Sequence, residues 1–115
     1  MKYSVSLKKN EDFRDVYKAG RSCAVKLLVL YVKENGLNVN RLGISVSKKV
    51  GNSVVRHRLK RLIKEAYRIH EEEFHIGFDM VFIARTNAKD CTYQMIESTI
   101  CRLMKKHGVL KDGVK

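Results

Sequence analysis

The sequence predicts one α/β (α+β) domain, a two-layer sandwich with a single mixed sheet. Three observations predict it. The apolar residues change period along the chain, giving the order helix, strands, helix, strand, helix. The length of 115 residues suits one compact domain spanning 1–115. Hydrophobic residues make up 44%, enough to build a core and to exclude a disordered basic tail.

Taken in order, Met1 to Lys9 is a loose basic start with Leu7 as its apolar anchor. Asn10 is expected to cap a short helix, with Glu11 and Asp12 in its first turn and Gly20 at its end. Phe13, Val16 and Tyr17 share one face of it. Ser22 to Lys33, rich in Val, Leu and Tyr, reads as an extended strand with a break near Lys26. Val25, Leu27, Val29 and Tyr31 should point one way, and Lys26, Leu28, Leu30 and Val32 the other. Asn35-Gly36 marks a turn, so the strand from Arg41 to Val46 or Ser47 should return antiparallel.

A helix is then expected from about Asn52 to His70, with Glu71 to Glu73 fraying its end. Gly77 precedes a compact buried strand, Asp79 to Ala84. Arg85 to Cys91 is a loop. Thr92 caps a last helix carrying Tyr93, Ile96, Ile100, Leu103 and Met104 at helical spacing, closed by Gly108. The tail Val109 to Lys115 is expected to be loose. The element order is therefore α-β-β-(β)-α-β-α.

The stretch Ser47 to Arg68 organises the rest. It holds eight basic residues and one acid, seven of the formal +12 charges. Val55, Leu59, Leu62, Ile63, Ala66 and Tyr67 keep the spacing of a buried helical face, and the basic residues fill the other positions. Like charges three or four apart destabilise a helix. A solvated helix face usually mixes charge signs, and this one is nearly free of acids. A polyanionic partner, with a nucleic acid first, is the better reading. The turn Lys48-Lys49-Val50-Gly51-Asn52-Ser53 adds a helix N-terminus flanked by two lysines, with Asn52 or Ser53 as its cap, which is a ready phosphate contact.

Other classes fare less well. A basic membrane-surface protein is disfavoured by the lack of an apolar span or leader-like run. Cys23, Cys91 and Cys101 fit reduced thiols in the cytoplasm and form no CxxC metal site. His70 and His75 flank Glu71-Glu72-Glu73, which reads as a polar helix end because no ligand spacing recurs. There is no Ser-His-Asp spacing, no H-E-x-x-H and no Gly-rich phosphate loop, so no catalytic set is expected in the protein and no metal ligands are assigned to it. A helix-turn-helix DNA binder would need a helix where strand-like Leu42 to Val46 stands. A ribosomal-protein-like RNA-binding domain without an enzymatic role remains the main rival, and a metal-independent nuclease a minor one.

The run RLGISVSKKVGNSVVRHRLKR, from Arg41 to Arg61, resembles the bacterial ribonuclease P protein family, whose signature is Arg-Asn-Arg followed by Lys-Arg. The resemblance covers nearly the whole chain, including Leu7 to Tyr17 and the closing strand and helix. His57 stands where the family has its central Asn; an imidazole offers one donor and one acceptor when neutral, and two donors when protonated.

The resemblance implies a left-handed crossover through the basic helix, shared with a ribosomal-protein domain. It implies that the catalyst is a partner RNA, the ribonuclease P RNA, which removes the 5′ leader of precursor tRNA with Mg2+ held mainly by that RNA. The implied contacts to this ribozyme are Lys48, Lys49, Asn52, Arg56, His57, Arg58, Lys60, Arg61, Lys64 and Arg68. Phe13, Tyr17, Tyr31 and Ser45 are implied to line a cleft for the single-stranded leader, although periodicity alone favours Phe13 and Tyr17 as core. No membrane and no DNA partner is expected, and the location implied is cytoplasmic.

Overall fold

A computed structural model describes residues 1–112. The elements are β1 (Ser4–Ser6), α1 (Asn10–Ala19), β2 (Arg21–Ala24), β3 (Leu28–Glu34), β4 (Asn40–Ser45), α2 (Ser53–His70), β5 (Phe78–Ala84) and α3 (Tyr93–His107). Short 3-10 turns cover Glu71–Glu73 and Thr86–Ala88. The five strands form one mixed sheet in the order β1-β4-β5-β3-β2.

The strand break expected near Lys26 separates β2 from β3, which pair antiparallel. Because the chain turns there, Leu27 lies in the same cluster as Leu28 and Leu30 instead of opposite them. β4 runs opposite in direction to β3, as the turn at Asn35-Gly36 requires. The two are not neighbours, however: β5 lies between them, antiparallel to β3 and parallel to β4. α2 is thus the crossover joining two adjacent parallel strands.

Strand alternation sends Leu28, Leu30 and Val32 of β3, and Met80 and Phe82 of β5, to one face. There they meet Leu59, Ile63, Ala66 and Tyr67 of α2, and Ile96, Ile100, Leu103 and Met104 of α3. This is the two-layer sandwich. On the other face Val81, Ile83 and Tyr31 pack with Val16, Phe13 and Leu7, so α1 covers part of the sheet from behind.

Three local expectations need correction. The segment before Lys9 is not loose. Ser4–Ser6 pairs in parallel with Asn40–Leu42, and Glu71 accepts from the Lys2 and Tyr3 amides at 2.8 and 3.1 Å. Asn10 does not cap α1; Lys9 occupies that position with no side-chain cap, and Asn10 is the first helical residue. Nor does the chain loosen at Val109. Gly108 is left-handed (φ 73°), and the Val109 amide donates to Met104 O, closing α3 in a Schellman turn that buries Val109. His75 N then donates to Val109 O and Lys111 N to Glu73 O. Residues 113–115 of the expected tail lie outside the described residues.

Candidate nucleic-acid interface

α2 begins where Asn52 accepts from the Val55 amide at 3.0 Å, the expected cap. Its apolar positions anchor it, so the register of the helix dictates which cations face outward. Leu59, Ile63, Ala66 and Tyr67 are buried, while His57, Lys60, Arg61, Lys64 and Arg68 are exposed. Lys48 and Lys49 are exposed in the turn that leads to Asn52.

The outward cations do not all have the same freedom. One guanidinium nitrogen of Arg58 donates to Cys91 O at 2.6 Å, tying α2 to the loop before α3. Arg68 is paired with Glu65 one turn earlier. Arg56 is half-buried, and its Nε is buried without a partner. Lys60, Arg61, Lys64 and His57 cluster on one groove.

That groove has two connected halves. One, of about 440 Å³, is lined by Leu7, Phe13, Leu42 and Ile44 below and by His57, Lys60, Arg61 and Lys64 above. The other, of about 590 Å³, is lined by Asn10, Phe13, Arg14 and Tyr17 of α1, by Ile44, Ser45 and Val46, and by Lys60. Phe13, Ile44 and Lys60 border both. Neither half is lined by a carboxylate. A further hollow on the outer side of α2 is lined by Ser53, Val54, His57, Arg58 and Arg61, so His57 and Arg61 face two concave surfaces.

Two aromatic rings, Phe13 and Tyr17, form one wall, and Tyr31 backs it. Phe13 and Tyr17 are 6.4 Å apart between centroids, and Tyr17 meets Tyr31 of β3 edge-on at 5.1 Å. Tyr17 keeps about a third of its surface exposed, at 36%. Burial pushes its phenol up from the ordinary tyrosine value, and the neighbouring Ser45 hydroxyl tempers the rise. Tyr31 lies deeper and supports Tyr17 without lining either half of the groove. Periodicity alone reads Phe13 and Tyr17 as core; Phe13 is in fact half-buried, serving both the small cluster behind the sheet and the groove.

Some lining residues escaped the sequence reading. Asn10 and Arg14 are two of them, seven and three residues before Tyr17 on α1, a signal that the aromatic pair obscures. Gly43 leaves no signal of its own. It lies beneath Phe13, where a Cβ would come within 2.6 Å of the ring.

The histidine and acid cluster after α2 is structural. His70 bridges Glu73 at 2.7 Å and Glu97 of α3 at 2.8 Å. Burial pulls the imidazole down, but the two carboxylates outweigh it and hold its pKa above the ordinary value.

A cationic groove with an aromatic wall, on a small α/β domain of +12 formal charge, defines a nucleic-acid-binding protein. The chain belongs to the bacterial ribonuclease P protein family. The family model described as Ribonuclease P matches residues 1–108. The ribonuclease P protein component of Alkaliphilus oremlandii is 50% identical over 114 residues, 99% of this chain and 100% of the relative. That of Clostridium botulinum (strain Langeland) is 53% identical, covering 90% and 94%. The crystallised Staphylococcus aureus RNase P protein superposes with a TM-score of 0.85 at 39% identity, covering 92% of this chain and 97% of that one. The Thermotoga maritima protein gives 0.82 at 28% identity, covering 88% and 96%. The chain is thus a subunit of the ribonuclease P holoenzyme, a tRNA-processing endoribonuclease.

Proposed function

We propose that this subunit binds the catalytic ribonuclease P RNA through the outward face of α2 and holds the single-stranded 5′ leader of precursor tRNA in the groove between α1 and α2. The observation that carries this reading is the groove itself: Phe13, Tyr17 and Arg14 on the α1 wall, the cations of α2 on the other, and no carboxylate lining either half. Cations give RNA affinity without sequence choice, and each phosphate neutralised releases counterions. Aromatic faces stack on any unpaired base. Together they suit a leader of variable sequence.

The ribozyme contacts are assigned to Lys48, Lys49, His57, Lys60, Arg61 and Lys64. Arg56, Arg58 and Arg68 contribute charge nearby, and Asn52 shapes the helix start. Phe13, Tyr17 and Ser45 face the leader, with Tyr31 behind them. Lys60 borders both halves of the leader groove and stands beside the ribozyme contacts Arg61 and Lys64. Bringing two polyanions together costs Coulombic repulsion, and the cationic wall lowers that cost.

The RNA carries the chemistry in this reading. Mg2+, when bound, stabilises the attacking and leaving oxygens. The donor set of the groove suits such an ion poorly: Ser6, Asn10 and Ser45 offer neutral oxygens, but no carboxylate lines it and the remaining polar groups are cations or an imidazole. The ions are therefore assigned to the RNA. The protein's place is assigned to the cytoplasm, in keeping with three free cysteines; among the described residues no helix is long and apolar enough to cross a membrane.

The test is a leader-length series. The holoenzyme reconstituted with a bacterial ribonuclease P RNA should bind precursor tRNA more tightly as the leader grows from none to several nucleotides, and the RNA alone should not. Equal dependence with and without the protein would contradict the leader assignment.

A further inference from the structure

We infer that β4 positions the leader-binding wall: Arg41 and Gly43 set where α1 rests on the sheet, and so where the Phe13 ring stands in the groove. This rests on reading the groove as the leader site.

Arg41, Gly43 and Ser45 alternate along β4, so all three face α1. Each meets a different residue of that helix. Arg41 makes a bidentate pair with Asp79 of β5, at 2.7 and 2.6 Å, and reaches Asp12 of α1 at 3.6 Å. The Asp79 side chain is only 2% exposed and also accepts from Asn35 at 3.0 Å. The guanidinium is therefore fixed to the sheet, and the first turn of α1 is drawn to it.

The next residue after Asp12 is Phe13. Its ring descends onto Gly43, where an added Cβ would lie 2.6 and 2.7 Å from two ring carbons. Carbon atoms normally rest about 3.5–4.0 Å apart, so the ring would have to shift by roughly 1 Å. The clash is with side chains and not with backbone: the Phe13 ring must move, and Leu7 Cδ2, 3.3 Å from the added Cβ, must give slightly. One turn further on, Tyr17 lines the groove together with Ser45. A glycine at 43 thus lets the aromatic wall sit low, and Phe13 borders both halves of the groove.

Holoenzyme would be assembled with Gly43→Ala, Phe13→Ala and the double variant. Three quantities would be read: affinity for precursor relative to mature tRNA, affinity for the ribonuclease P RNA, and melting temperature. Gly43→Ala should lose about tenfold of the precursor preference, the worth of one stacking contact, with ribozyme affinity unchanged. The double variant should lose no more than Phe13→Ala alone, because both act through one ring. Additive losses, or a preference retained in Gly43→Ala but lost in Phe13→Ala, would overturn the positioning role while leaving the leader site standing. A preference retained in Phe13→Ala itself would overturn the leader site and the inference with it. Asp12→Asn cuts the Arg41 link at a partly exposed pair, and is the second variant should Gly43→Ala fold poorly. It should lower the preference about two- to fivefold, and no change would remove Arg41 from the account.

Discussion

Phe13 of α1 and Lys60 of α2 border both halves of one groove, an aromatic ring from one helix and an ammonium from another. A base against the ring and its phosphate near the ammonium is the arrangement such a pairing favours. Truncating either should therefore weaken leader binding, but with different signatures.

Phe13→Ala removes an uncharged stacking surface. It should reduce precursor affinity by about 1–3 kcal/mol while leaving mature tRNA affinity and the salt slope unchanged. Titrations of both tRNAs at two salt concentrations check this, and equal loss for both would show a packing role instead.

Arg61→Ala removes an exposed cation that faces two concave surfaces. Ribozyme affinity should fall, and the slope of log K against log salt should shrink by about one. The melting temperature should hold, since Arg61 forms no ion pair among the described residues. A salt slope equal to that of the unaltered protein would take Arg61 out of the interface.

Arg58→Ala should behave differently although it stands three residues away. Its guanidinium donates to Cys91 O at 2.6 Å, and losing a hydrogen bond to a charged group costs about 1.5–3 kcal/mol. Chemical denaturation should show reduced stability together with weaker RNA binding. Unaltered stability would mean that Arg58 acts on RNA alone.

His70 links the end of α2 to α3 through Glu73 and Glu97. Burial opposes its charge, yet the carboxylates raise its pKa above the unfolded value of about 6.5. A raised pKa binds protons more tightly in the folded state. The stabilisation is thus fully present below about pH 6.5 and is lost as pH rises through the folded value. His70→Gln should be less stable than the unaltered protein near pH 6, with the difference shrinking toward pH 9. A difference independent of pH would assign His70 a packing role.

Much of this was legible in the chain. The α2 register follows from Val55, Leu59, Leu62, Ile63, Ala66 and Tyr67, whose spacing allows only one buried face, so the outward cations could be named. Thr92 and Gly108 bracket α3 by cap chemistry that is local in sequence. The placement of β5 between β3 and β4 was not legible, because pairing partners are chosen by the whole sheet and not by the turn at Gly36. Nor was β1: Ser4–Ser6 has no strand signature and is held by β4 and by the Ser4–Tyr67 hydroxyl contact at 2.7 Å, with Glu71 fixing the Lys2 and Tyr3 amides just before it. The Arg41–Asp79 pair joins residues 38 apart on strands whose adjacency was unknown. Gly43 matters only because Phe13 lies above it, a fact about packing that no pattern in β4 reveals.

This subunit is expected to assist an RNA catalyst. The most direct test is cleavage of precursor tRNA at low magnesium by the protein alone, by a bacterial ribonuclease P RNA alone, and by the two together. Cleavage to the mature 5′ end in the mixture only is the expected result. No gain on mixing, with a folded protein that still binds the RNA, would contradict it.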